Sequence, residues 1–283
     1  MMAMVIDWEM ECSRDFPREF SLAMEASRAV MDATRGGDFS SLERHSPGLK
    51  GFDWEGYLRL SVLRMVRALG LVSRATSPGA RVLDFGAYFG NFSVMLADAG
   101  YRTTALDSYP DYGECFAPVL DVFRQRGVEV ITKLPDPEGE SYQGYDVVLL
   151  MGVIEHIPHT PRSLLEGIRN SLRPGGILIL DTPNLAYIYN RQRLMRGESI
   201  FTPIQSQYWT EIPFEGHHRE FTRAELEWML QTAGFDVQSC EAFNYSIYGL
   251  SHLSGIDLEN YKAMEIDESM RELLIFSALK KSS

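Results

Sequence analysis

The chain has 283 residues, a length that allows one large domain or two small ones at about 150 residues each. Its 39 acidic residues outnumber 27 basic ones for a formal net charge of −12, and such a surface repels phosphate backbones, which argues against a nucleic-acid binder. Hydrophobic residues make up 45%, enough for a packed core, yet no apolar run reaches the roughly 18 residues of a membrane span.

In chain order, Phe16, Phe20, Ala23, Met24, Ser27, Val30 and Met31 recur at three- and four-residue steps, which predicts a helix stopped by Gly36 and Gly37. A polar stretch with Pro47, Gly48 and Gly51 follows. Asp53 can then cap a helix whose Trp54, Tyr57, Leu58, Val62, Met65 and Leu69 share one face, ending at Gly70. Arg59, Arg64 and Arg67 spread around this helix and read as a solvated face. Ser77-Pro78-Gly79 marks a boundary, so residues 1–77 are expected to form a helical cap and 78–283 the main domain.

Beyond the boundary, strands and helices alternate. Strands are predicted at 81–85, 101–106, 128–132, 145–151 and 177–181, with helices at 91–99, 116–126 and 162–172, the last stopped by Pro174-Gly175-Gly176. The fourth strand is the most apolar and belongs at the centre of a sheet buried on both faces. Alternation of this kind predicts an α/β, doubly wound, Rossmann-like parallel sheet. The aromatic stretch of about 183–220 is too long for a plain connection and reads as an inserted lid. Thr222 then caps a helix ending at Gly234, and two final strands are expected at 235–242 and 273–279.

The turn after the first strand reads Asp84-Phe85-Gly86-Ala87-Tyr88-Phe89-Gly90-Asn91, with glycines where a backbone can pass close to a ligand and turn into a helix. Asp107 follows Gly86 by 21 residues, at the end of the second strand, where an acid can accept hydrogen bonds from ribose hydroxyls. A dinucleotide site shares both features, but Tyr88 and Asn91 stand at its second and third glycine positions. A bulky Tyr88 would obstruct a pyrophosphate, which disfavours a nicotinamide-dependent oxidoreductase.

The set Val82-Leu83-Asp84-Phe85-Gly86 with Gly90, Tyr145 to Ile157, and Leu172-Arg173-Pro174-Gly175-Gly176 resembles the class I S-adenosylmethionine-dependent methyltransferases. Thr182-Pro183-Asn184, His217 to Thr222 and Glu225 to Phe235 are similar to a branch that often modifies sugars, lipids or natural products. The resemblance runs over roughly residues 79–280. It implies a seven-stranded sheet with the last strand antiparallel, and S-adenosyl-L-methionine as cofactor with S-adenosyl-L-homocysteine as product. Carried over by position, the cofactor-binding residues are Asp84, Gly86, Ala87, Tyr88, Gly90, Asp107, Ser108, Met151 and Gly152. Two departures stand out. Tyr88 replaces the middle glycine of the loop, so its ring must turn away from the cofactor or cover it. The stretch after the third strand offers no acid for the adenine except a late Asp136.

Methyl transfer from a sulfonium is an in-line displacement, so the protein chiefly aligns the reactants, and an alcohol acceptor also needs its proton removed. His156, just past the fourth strand at the carboxyl edge of the sheet, is the first candidate for that work, with His217 second. Glu155-His156 can equally serve only to shape its loop. Arg219, Tyr208 and Asn184 are candidate substrate-binding residues; the alternative for His217 and Arg219 is a role in capping the following helix. Tyr187, Tyr189, Tyr208 and Trp209 form either a substrate wall or the lid's own small core. No metal site is expected, because His217-His218 would point apart on a strand and Cys12, Cys115 and Cys240 lack ligand spacing.

The expectation is therefore a cytoplasmic enzyme of the 2.1.1 class, methylating a hydroxyl of a small-molecule substrate. There is no basic n-region of a signal peptide, no nucleic-acid partner and no membrane span, and the oligomeric state is left open. The rivals are a cofactor-binding regulatory module without catalysis, encouraged by Tyr88, and a methyltransferase acting on protein or tRNA.

Overall fold

In the computed structural model, residues 7–43, 51–133, 143–248 and 257–281 are described; Pro47, Gly48 and Asp136 lie outside them. The short apolar runs become seven strands: β1 (Arg81–Phe85), β2 (Arg102–Leu106), β3 (Glu129–Ile131), β4 (Tyr145–Met151), β5 (Leu172–Pro183), β6 (Phe235–Phe243) and β7 (Leu273–Lys280). They form one sheet in the order β3-β2-β1-β4-β5-β7-β6. The first five strands pair in parallel, while β7 runs antiparallel between β5 and β6. The seven-stranded doubly wound sheet with an antiparallel last strand is thus as expected. The strand order reverses between β1 and β4, and in open α/β sheets the crevice at that reversal is where ligands bind.

Because successive strand residues point to opposite faces, the sheet divides its apolar residues between two layers. Val82, Val147, Leu149, Ile179 and Ile275 pack on one side with the N-terminal helices and the helices Asn91–Asp98 and Ala117–Arg126. Leu83, Val148, Leu150, Leu178, Leu180 and Phe276 pack on the other with the helices Arg162–Ser171 and Arg223–Thr232. The N-terminal helices therefore share the core of the sheet.

Three local readings change. The first helical pattern is the helix Pro17–Thr34, which Pro17, with no N–H to donate, opens at its first position, and a further helix that the pattern did not include, Trp8–Asp15, precedes it. The second is two helices, Trp54–Leu60 and Val62–Ala75, interrupted where the Ser61 hydroxyl donates to the Tyr57 carbonyl at 2.8 Å. Gly70 lies inside the latter helix, which continues to Ala75. β5 begins at Leu172, ahead of its expected start at 177, since Pro174-Gly175-Gly176 forms an irregularity opposite Tyr145 and Val147.

The arginines of this region are not all a solvated face. Arg59 is half exposed and pairs with Glu9. Arg67 pairs with Glu241 and lies over the Phe243 ring. Arg64 is buried and makes two bonds of 2.7 Å to Asp181 on β5. A bidentate pair inside the N-terminal layer ties that layer to the centre of the sheet. No helix among the described residues is long and apolar enough to cross a membrane.

Candidate active site

A cavity of about 1620 Å³ opens along the carboxyl edge of the sheet. Its walls come from three directions. Gly86, Tyr88, Asp107, Ser108, Met151 and Gly152 supply the strand-end side; Leu42, Phe52, Trp54 and Tyr57 come from the N-terminal region; His156, His217, Tyr187, Tyr189 and Asn190 come from the loops beyond β4 and β5.

On the strand-end side the chain turns tightly. Gly86 has φ +75°, and a Cβ there would stand 2.5 Å from a Val153 methyl. Gly90 has φ +68° at the start of the helix Asn91–Asp98, and a Cβ would stand 1.9 Å from the Phe123 ring. Both positions demand glycine twice over, by backbone angle and by space. Tyr88, between them, has φ 48°, a left-handed conformation unusual for a residue of its size. Its ring answers the question that the sequence raised: it packs against Trp54, Phe89, Tyr112 and Phe116, joining the turn to the N-terminal region.

Asp84 lies beneath this turn, almost wholly buried, accepting a 2.6 Å bond from the Ser93 hydroxyl. Burial pushes its carboxyl up to about 7, with Ser93 opposing. Asp107 is held by three donors: the Tyr88 and Ser108 amides at 2.7 Å and the Tyr112 hydroxyl at 2.6 Å. Burial raises its pKa against these bonds. Ribose hydroxyls reaching Asp107 would share it with Tyr112, or take its place.

The opposite wall is assembled from distant segments. The Glu155 backbone carbonyl accepts from the amides of His218, at 2.8 Å, and Arg219, which pins the 217–219 segment to the turn after β4. This brings the His156 and His217 rings together, edge to face, with centroids 4.7 Å apart. His156 Nδ1 lies 2.8 Å from the Glu215 carbonyl, which can only accept, so Nδ1 carries the proton and Nε2 is left with its lone pair. His217 Nδ1 likewise donates to Glu220 at 3.0 Å. Glu155 is fully buried and accepts from the Thr182 hydroxyl at 2.9 Å.

The charges of this cluster follow from its surroundings. Burial pushes Glu155 up to about 7, with His217 opposing. His156 is neutral at pH 7, because enclosure in the cleft and the neighbouring His217 press its pKa down to about 4. Its ring does open onto the cavity, and water there preserves part of its hydration. Burial alone would lower His217 too, but Glu220 and Glu155 outweigh it and the net shift is upward.

The remaining candidates divide. Asn184 reaches the cavity wall, but its side chain is spent on the Ser269 and Arg271 carbonyls and the Ala186 amide. Arg219 turns outward to Glu225, whose other contacts complete the capping box of Thr222, so its geometry is that of the capping alternative. Tyr208 and Trp209 are exposed and meet edge to face outside the cavity, on the helix Ile204–Trp209. Tyr187 and Tyr189 do line it. The sequence reading missed Tyr112, Thr182 and Glu220. Only Glu220 left a trace, an acid three residues after a histidine. The expectation of no metal-ligand cluster also changes: Glu155, His156 and His217 have ligand atoms all within 4.8 Å of one another.

A family model described as a methyltransferase domain matches residues 57–240. The chain belongs to this methyltransferase family. Its residues fit the family's donor, S-adenosylmethionine: the cavity, the two sterically required glycines and the acids at the ends of β1 and β2 form a cradle for it. This methyltransferase is 27% identical over 220 residues to a ubiquinone biosynthesis O-methyltransferase of Xanthomonas campestris pv. campestris, covering 73% of this chain and 84% of the relative. A protein of the same name from Xylella fastidiosa is 27% identical over 196 residues, covering 66% of this chain and 73% of the relative. Among solved structures, a SAM-dependent methyltransferase of Methanosarcina mazei aligns with TM-score 0.53 at 17% identity, covering 75% of this chain and 98% of its own. A Pyrococcus horikoshii protein aligns equally, with TM-score 0.53 at 15% identity over 83% of this chain and 99% of its own. These structures share the fold of the methyltransferase.

Proposed function

We propose that this methyltransferase transfers a methyl group to a hydroxyl of a bulky small molecule, presented at the cluster of Glu155, His156 and His217. The observation that carries the reading is the continuity of one cavity from the Asp107 side to the two imidazoles. At about 1620 Å³ it exceeds the roughly 300–1,000 Å³ typical of a site for one drug-sized ligand, which supports a donor and a sizeable acceptor held together. The relatives' name, ubiquinone biosynthesis O-methyltransferase, supports an aromatic hydroxyl as the acceptor group. The setting we assign is the cytoplasm, which an acidic chain with three cysteines suits.

S-adenosylmethionine supplies the electrophilic methyl group and carries its own leaving group. The protein's share is therefore alignment, desolvation and disposal of the acceptor's proton. In our reading Gly86, Ala87, Tyr88 and Gly90 shape the donor's turn, and Asp84 lies beneath its amino group. Asp107 and Ser108 meet its ribose side, and Met151 and Gly152 line its methionine side. His156 and His217 face the acceptor oxygen as the catalytic pair. The N-terminal residues 1–77 act as a cap and residues 183–220 as a lid, a division supported by the side chains that both regions send into the cavity.

The test is transfer of labelled methyl from S-adenosylmethionine to a panel of dihydroxybenzoates, sugars and amines. The expected result is an O-methylated phenol. Transfer to amines alone, or to protein or tRNA alone, would overturn the acceptor assignment.

A further inference from the structure

We propose that Glu155, His156 and His217 form a binding site for one divalent transition cation, which holds and polarises the acceptor hydroxyl. The role in catalysis rests on the methyltransferase reading; the binding itself does not. Two imidazoles and one carboxylate are a donor set of the kind that binds zinc, manganese or iron in open sites, and they suit such ions better than magnesium or calcium.

The geometry favours ligation in two ways. First, the donors converge. Their ligand atoms lie within 4.8 Å of one another. A tetrahedral site with bonds of about 2.1 Å needs donors roughly 3.4 Å apart, so closure takes about 1 Å of side-chain adjustment. Second, the supporting bonds are those that a metal ligand needs. Each histidine turns its Nδ1 away from the cluster, His156 to the Glu215 carbonyl and His217 to the Glu220 carboxylate, so Nε2 is the nitrogen left to each for a cation, with His217 giving up its Nε2 proton on binding. Such bonds fix the tautomer and raise the basicity of a ligating imidazole. Thr182 orients Glu155 by donating to one of its carboxylate oxygens, and the Glu155 backbone carbonyl holds the 218–219 amides that place His217.

All three residues line the cavity, so a fourth ligand position faces it. A hydroxyl oxygen taking that position loses its proton to cavity water more readily, because the cation stabilises the oxyanion. The oxygen lone pair then forms the new O–C bond as the C–S bond breaks and its electron pair returns to sulfur. No oxidant or reductant enters, since the cation stays divalent throughout.

The experiment uses the full chain stripped with a chelator and titrated with Zn²⁺ by calorimetry and with Co²⁺ by visible absorption. The expected result is one ion per chain, with affinity at least a hundredfold lower in His156→Ala and in His217→Ala. Glu220→Gln should weaken binding about tenfold through the second bond of His217. His159 also lines the cavity but stands outside the trio, and His159→Ala should bind as the wild type does. Both trio histidines face the cavity, and the folding of their variants is checked by circular dichroism; should Glu155→Gln fail to fold, they decide the matter. No saturable Zn²⁺ or Co²⁺ binding, or binding unchanged in both histidine variants, overturns the site. S-adenosylhomocysteine binding is measured in parallel, so that loss of the cation site with retained product binding removes the cation and leaves the methyltransferase reading intact.

Discussion

The two walls of the cavity are built on opposite principles. The strand-end wall comes from short stretches at the ends of β1, β2 and β4, and its shape is set by backbone: glycines with no room for a Cβ and carboxylates fixed by main-chain amides. The facing wall is drawn from residues as far apart as Glu155 and Glu220, and its shape is set by side chains bonding across the fold. The first can hardly change without losing the fold, whereas the second can be rebuilt around a new acceptor. A family can thus keep one donor while its members diversify in substrate.

This contrast is most severely tested at the bond that joins the layers behind both walls. Asp181→Ala leaves the Arg64 guanidinium buried without its partner, and should cost about 3–5 kcal/mol of stability in denaturant unfolding. Arg64→Met combined with Asp181→Leu should restore most of it, because the uncompensated charge is then gone. A smaller effect is expected from Asp107→Ala. Removing the acceptor of ribose hydroxyl bonds should weaken S-adenosylhomocysteine binding about a hundredfold by calorimetry, in line with two lost bonds to a charged group. Zn²⁺ binding on the opposite wall should stay as it was.

Asp84 sharpens the comparison through pH. Its native pKa, about 7, lies above its ordinary value of 3.8, so the native state retains a proton that the unfolded chain gives up. Its contribution is present below about 4 and is lost as pH rises to about 7. Melting curves across that window should show a decline that Asp84→Asn reduces, the remainder belonging to Glu155 and Asp107. The smallest effect belongs to Arg219→Ala. Its ion pair with Glu225 is exposed, worth up to about 1 kcal/mol, and methyl transfer should be unaltered.

The same contrast decided what could be read in the sequence. The strand-end wall was legible because its determinants are local: glycines at a turn, an acid at a strand end, an apolar run for the central strand. The parallel, doubly wound part of the sheet followed from alternation, whereas the antiparallel last strand came from the family resemblance. The break at Ser61 was missed because the apolar periodicity runs through it, from Tyr57 and Leu58 to Val62 and Met65. Arg64 read as solvated because nothing near it in sequence signals Asp181, 117 residues away. The histidine cluster stayed hidden for the same reason: spacing rules detect ligands on one turn or hairpin, and here a carbonyl of one loop recruits another. Arg219 misled in the other direction, since an arginine beside a histidine reads as a binding pair until the helix cap claims it.

β5 carries a consequence of its own. Asp181 faces the N-terminal layer and grips Arg64, while its neighbour Thr182 turns the opposite way and grips Glu155. The pleat of one strand therefore hands one residue to each side of the sheet. A single residue inserted between Ile177 and Asp181 would flip the face of each, putting a carboxylate beside Glu155 and leaving the buried guanidinium of Arg64 without its acid. Substitutions there can be graded, but changes of length cannot. Loop grafting aimed at new substrates has its safe splice point past Asn184, where the chain leaves the sheet.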